Sequence, residues 1–158
     1  MTEYATNAGG RELRLSRLID APRETLFRCW TEPELLKRWF TPEPWKTADV
    51  ELEVRPGGRF HVTMRGPEGQ VHPNPGVFLE VVPGRKIVTT DAFTEAWVPS
   101  DRAFMTAEIL FEDEDGKTRY TAVARHWSAE DCRQHEEMGF HEGWGMAADQ
   151  LEALARSL

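Results

Sequence analysis

Long hydrophobic runs are missing from this 158-residue chain, in which no apolar stretch approaches the roughly 20 residues of a membrane-spanning helix. Runs of Lys or Arg are missing too, and 27 acidic against 19 basic residues leave a net charge of −8. That balance excludes the cationic surface of a general nucleic-acid binder or of a protein drawn to anionic membranes. Cysteine is scarce. Cys29 and Cys132 lie far apart, in no metal-ligand spacing, and read as free thiols. The opening MTEYATNAGGRELR has no basic segment followed by an apolar one, so no signal peptide and a cytoplasmic location are expected.

Motifs of covalent and metal chemistry are equally sparse. There is no Gly-x-Ser-x-Gly elbow and no His-x-x-x-His pair. His135 and His141, six apart, point roughly 240° away from each other on one continuous helix and cannot share a metal. Cys132 occupies a helical first turn, where a thiol pKa is lowered, but an ordinary thiol is the expectation. The glycine pair of Arg55-Pro56-Gly57-Gly58-Arg59 joins two strands and opens no helix, so it reads as a hairpin turn and not a phosphate cradle. The acids of Glu112-Asp113-Glu114-Asp115-Gly116 lack the spaced oxygens and distal Glu of a calcium loop and read as a solvated hairpin tip. No metal and no cofactor are expected.

What the chain does have is clear periodicity. Residues 128–158 form the longest helical pattern, with Phe140, Trp144, Ala147, Leu151, Leu154 and Leu158 on one stripe and Glu142, Asp149, Gln150 and Arg156 opposite. Ser128, with Asp131 three residues on, reads as its capped start. Before it the spacing predicts a first strand over 11–19, then a helix entered at Pro22. A second short helix is expected to begin at Thr31, with Glu34 completing a capping box. From Val50 the pattern turns to period two, broken by the turns at 55–58, 66–69, 83–84 and 112–116. Pro73 and Pro75 make 70–76 a ragged strand entry. Further strands are expected over 77–82, 85–93, 103–111 and 119–127, with 94–100 as a loop carrying Trp97.

Strands joined by tight turns form an antiparallel meander, and strands followed by a terminal helix make the class α+β. About seven strands with strong twist would curl around the long helix and leave space wherever inward side chains do not fill it. One domain is expected over 11–158, after a flexible polar N-terminus over 1–10.

Four stretches carry a resemblance: Ala21-Pro22 at the helix entry, Leu36-Lys37-Arg38-Trp39-Phe40 with Pro42, Arg55-Pro56-Gly57-Gly58-Arg59-Phe60, and Gly143-Trp144 in the last helix. Gly76 with the strand after it, up to Arg85-Lys86-Ile87-Val88, fits as well. The chain thus resembles the START-like SRPBCC superfamily and, within it, the AHSA1-like family named for the activator of the heat-shock-protein-90 ATPase. The resemblance implies the helix-grip (START/Bet v 1-like) fold: a curved antiparallel sheet, two short helices after strand 1 and a long C-terminal helix. It also implies a cavity, but a fold does not imply a reaction.

The cavity is expected to bind a small hydrophobic or amphipathic ligand, without cofactor. Its candidate walls are Trp39, Phe60, Met64, Phe78, Phe93, Trp97, Met105, Phe140 and Trp144, with Trp45 at the rim. Asp91 and His126 stand in phase with inward strand residues and are the candidates to hold a polar end of the ligand. A second expectation is a polyketide-cyclase-like or dehydratase-like enzyme using either as acid or base. A third is a chaperone-interacting, stress-response accessory protein; chaperone activation is not expected, because no separate domain precedes the matching stretch. A homodimer through a strand edge or the Trp97 loop is left open.

Overall fold

A computed structural model describes residues 2–6 and 10–158. Strand β1 (Glu3–Thr6) lies in the segment expected to be a frayed terminus: it pairs antiparallel with β2 (Glu12–Ile19), Tyr4 opposite Leu15. Backbone pairing along β2 gives this polar segment its order where side-chain patterning offers none. Along β2 the alternation is as expected, with Leu13, Leu15 and Ile19 buried.

Helix α1 (Arg23–Thr31) buries Leu26, Cys29 and Trp30. Pro22 caps it from outside with an extended backbone, one position before its expected place in the first turn. The capping box expected at Thr31 does not form. Thr31 closes α1 instead, its hydroxyl donating to the Phe27 carbonyl at 2.8 Å, and Glu32 precedes α2 (Pro33–Leu36). Pro33 fits at the start of α2, where its missing N–H is unneeded.

The strands that follow divide in two. β3 (Lys46–Leu52), β4 (Phe60–Arg65) and β5 (Val71–Asn74) form a three-stranded sheet. β6 (Val77–Val82), β7 (Lys86–Thr90), β10 (Met105–Glu114) and β11 (Lys117–His126) join β1 and β2 in a six-stranded sheet of order β1-β2-β11-β10-β7-β6. The two sheets are stitched where Phe60 N–H donates to the Gly76 carbonyl at 2.8 Å and Phe78 N–H to the Gly58 carbonyl at 2.9 Å. Gly76 is required there, since a Cβ on it would lie 2.7 Å from the Thr90 carbonyl oxygen. Asp91 bends the chain out of β7, and β8 (Phe93–Glu95) with β9 (Val98–Pro99) makes a small hairpin in place of a loop.

The long C-terminal helix is two helices. α3 (Ala129–Glu137) starts at Ser128, whose hydroxyl accepts from Asp131 N–H at 3.1 Å, the predicted cap. Gly139 then takes φ 100°, in the left-handed region, and α4 (Phe140–Ser157) sets off in a new direction. α4 rests on two apolar clusters. Leu151, Leu154 and Ala155 join the main core with Leu26, Phe111 and Ile109, while Phe140 packs with Leu13, Ala124 and Cys132. Leu158, expected in the stripe, is 53% exposed.

Polar groups fasten the same helix. Arg17, buried on the inward face of β2, pairs with Asp149 at 2.7 Å. Gln150, expected to face solvent, donates to the carbonyls of Trp39 at 2.8 Å and Thr41 at 3.0 Å, and accepts from Glu43 N–H at 3.1 Å. It thereby clamps the loop after α2 against α4.

Two glycines make opposite predictions. Gly139→Ala should lower the unfolding free energy by about 1–2 kcal/mol, the strain of a side chain in the left-handed region. Gly143→Ala, in the interior of α4 where a Cβ meets no atom within 4 Å, should raise it by about 1 kcal/mol. Urea titration of both variants at neutral pH measures the two signs.

Candidate ligand cavity

A cavity of about 280 Å³ lies between the sheet and α4. It exists because small side chains face one another. Ala107 on β10, Ala122 on β11 and Thr89 on β7 pave the floor, and Gly143, Ala147 and Ala148 on α4 form the roof. Larger residues close the sides: Trp30, Trp39, Phe40 and Pro42 from α1, α2 and their following loop, and Phe60, Val62 and Met64 from β4. The aromatic rings brace each other, with Trp30 and Trp39 edge-to-face at 5.1 Å and Trp30 and Phe60 stacked at 6.1 Å. Asn74 and Pro75, both exposed, make an outer lip.

Trp39, Phe60, Met64, Asp91, Met105 and Trp144 all line this cavity. Six other candidates do not. Phe78 is wholly buried in the main core, and Phe140 serves as the footing of α4 in the second cluster. Phe93 and Trp97 sit on the β8–β9 hairpin, their rings 5.5 Å apart and Trp97 71% exposed. The strand phase that pointed Phe93 inward ends at Asp91, where the chain bends. Trp45 leaves the expected rim and packs on His72 at 5.3 Å.

His126 is the sixth, and its inward phase was right. It meets a histidine and not the cavity. Its Nδ1 lies 2.9 Å from the Arg11 carbonyl and its Nε2 2.8 Å from Nδ1 of His135. A carbonyl only accepts, so His126 donates from Nδ1; in the neutral pair His135 then donates to His126 Nε2. Phe104, Phe140 and Trp144 enclose His135 at 5.2–5.9 Å. Among the described residues no group of three or more His, Cys, Asp or Glu is placed to hold a metal ion. His135 and His141 fall on separate helices, so the argument from a continuous helix does not apply to them.

Asp91 has a structural task. Its Oδ1 accepts from the backbone N–H groups of Phe104 at 2.8 Å and Met105 at 3.1 Å, tying the β7 exit to the β10 entry. Both thiols are buried; desolvation pushes Cys29 up to about 11 and, with the carboxylates of Glu136 and Glu12 nearby, also raises Cys132.

Sequence reading missed Trp30, Phe40 and Tyr120. Tyr120 is buried on the cavity wall and accepts a hydrogen bond from Trp30 Nε1 at 3.2 Å. Its inward phase with Ala122 and Ala124 was visible, but its union with a tryptophan 90 residues away was not.

A model of the family described as Activator of Hsp90 ATPase homolog 1-like protein matches residues 20–156. The chain belongs to this AHSA1 family. Solved structures carry the same fold. Protein NE0264 from Nitrosomonas europaea is 42% identical, with a TM-score of 0.92 over 96% of this chain and 97% of that one. Protein Ms6760 from Mycobacterium smegmatis is 25% identical, with a TM-score of 0.84 over 99% and 98%. An AHSA1-like protein from Aeromonas hydrophila, 18% identical, shares the fold at a TM-score of 0.72 over 92% of each chain. Comparison with curated proteins finds no match. No helix among the described residues is long and apolar enough to cross a membrane.

The histidine pair predicts a pH dependence. Burial, with His126 beside it, holds His135 down to about 4. An unfolded histidine titrates near ~6.5. Between these values the unfolded chain takes up the proton first, so stability is complete above about pH 6.5, falls as pH drops through the window and levels off below about 4. Full depression is worth on the order of 3 kcal/mol. Urea unfolding at pH 7 and pH 4.5 should show a smaller loss in His135→Phe than in the parent protein; equal losses would remove His135 from this role.

Proposed function

We propose that this AHSA1-family protein binds a small apolar or amphipathic molecule in the cavity between its sheet and α4. The observation that carries the reading is the facing set of small side chains, Ala107, Ala122 and Thr89 below Gly143, Ala147 and Ala148, inside an otherwise closely packed core. Small side chains at these positions leave apolar wall atoms without packing partners, which an apolar ligand of matching size would supply. The cavity volume lies just below the ~300–1,000 Å³ range of ligand pockets, and burial of an apolar ligand at ~25 cal/mol per Å² drives its entry.

The decisive measurement is native mass spectrometry of protein purified from its own cells, where a retained small molecule appears as added mass. The matching variant is Gly143→Leu. Its side chain extends from the roof into open space, so thermal stability should hold or rise while the added mass and any ligand-induced thermal shift disappear. Unchanged ligand retention in Gly143→Leu would place the site elsewhere.

A second reading, turnover of a bound polyketide-like molecule, has one observation in its favour: Asp91, a carboxylate, lines the cavity. Under that reading Asp91→Asn abolishes turnover of the retained molecule while leaving its binding intact.

A further inference from the structure

Within the proposed ligand site, two hydroxyl groups are left with a hydrogen to donate among the described residues. Tyr120 is 3% exposed and its hydroxyl accepts from Trp30 Nε1, an indole N–H that can only donate. The phenolic hydrogen therefore remains, and it has no acceptor among the described residues. Thr89, 8% exposed on the floor, has a hydroxyl with no hydrogen-bond partner among the described residues. A buried phenolic hydrogen without an acceptor is costly, and natural interiors rarely keep one, whereas the Thr89 hydroxyl reaches the open space of the cavity. Trp39, by contrast, spends its indole N–H on the Cys29 carbonyl at 2.9 Å.

The charge on the walls points the same way. Among the described residues no Lys, Arg or His lines the cavity, and Asp91 is the one formally charged side chain on its wall. A carboxylate or phosphate drawn into this space would lose its water, find no cation and meet the field of Asp91. The arrangement therefore disfavours anions and offers a donor to a neutral acceptor.

We propose that the cavity selects an uncharged, largely apolar molecule bearing a hydrogen-bond-accepting oxygen, such as a ketone or ether, that accepts a hydrogen bond from the Tyr120 hydroxyl, and that it discriminates against fatty-acid-like carboxylates. This rests on the ligand-binding reading of the same cavity. It assigns Tyr120, held in place by Trp30, as the residue that orients the ligand.

Three probes of similar size test it by calorimetry at pH 7.5: propiophenone, n-propylbenzene and 3-phenylpropanoate. Tyr120→Phe should weaken propiophenone about fivefold to tenfold, the worth of one net hydrogen bond, and leave n-propylbenzene within about twofold. 3-Phenylpropanoate should bind at least about tenfold more weakly than propiophenone to the parent protein. A ketone affinity unmoved by Tyr120→Phe, or a carboxylate bound as tightly as the ketone, would overturn the proposal. If Tyr120→Phe does not fold, the carbonyl stretch of propiophenone bound to the parent protein decides. A shift below its value in hexane supports the hydrogen bond, and the hexane value refutes it. Binding of n-propylbenzene without these ketone effects sinks only the acceptor inference; failure of all three probes to bind sinks the cavity reading with it.

Discussion

The spacing between α4 and the sheet is the constraint on which the rest of this structure depends. α4 stands on large side chains at both ends, with Trp144 between them and small residues along the rest of its cavity face. Phe140 is wedged against Leu13 and Ala124 at one end, and Leu151 and Leu154 sink into the main core at the other. Between these footings Gly143, Ala147 and Ala148 look down on Ala107 and Ala122, and neither layer reaches the other. Packed interiors do not deform continuously to close such gaps. The helix is also held against sliding by Arg17 to Asp149 and by Gln150 on the loop after α2. The cavity is thus a consequence of where bulk was placed along one helix.

Aromatic residues give the cavity its shape and its polarity. Trp30 belongs to the ring cluster that closes one side, and the same indole fixes the Tyr120 hydroxyl. Trp144 packs against both apolar clusters and touches His135 at 5.9 Å. The His126–His135 pair therefore stands behind the cavity wall. It ties the end of β11 to α3 through one hydrogen bond.

Much of the architecture was legible. Alternation along β2 and β11, the tight turns, the Ser128 cap and the covering role of the last helix are local patterns, and local patterns survive folding where tertiary contacts agree with them. The misreadings have identifiable causes. A glycine inside an apolar helical period is tolerated, so nothing in the pattern distinguished Gly139, which takes φ 100°, from Gly143, which stays helical. Thr31 and Glu34 had capping-box spacing, but Thr31 bonded back to Phe27 inside α1. Phe93 was assigned inward by carrying strand phase through Asp91, whose carboxylate accepts two backbone N–H groups where the chain turns away, and Trp97, expected on a loop at the rim, is carried off on the same hairpin. Gln150 was assigned to solvent because its helix face was polar, yet that face meets exposed backbone carbonyls of another segment.

By itself, then, the sequence determined the α+β class, the antiparallel connections, the family and the kinds of residue that could wall a cavity, because periodicity, turn chemistry and recurrent motifs are written in neighbouring positions. Only the tertiary structure decided which aromatics face open space and which fill the core. It alone brought Trp30 to Tyr120 and His126 to His135, and it alone left a phenolic hydrogen without an acceptor. Those outcomes depend on distances between segments up to 90 residues apart, and such distances are set by packing, which no local pattern encodes.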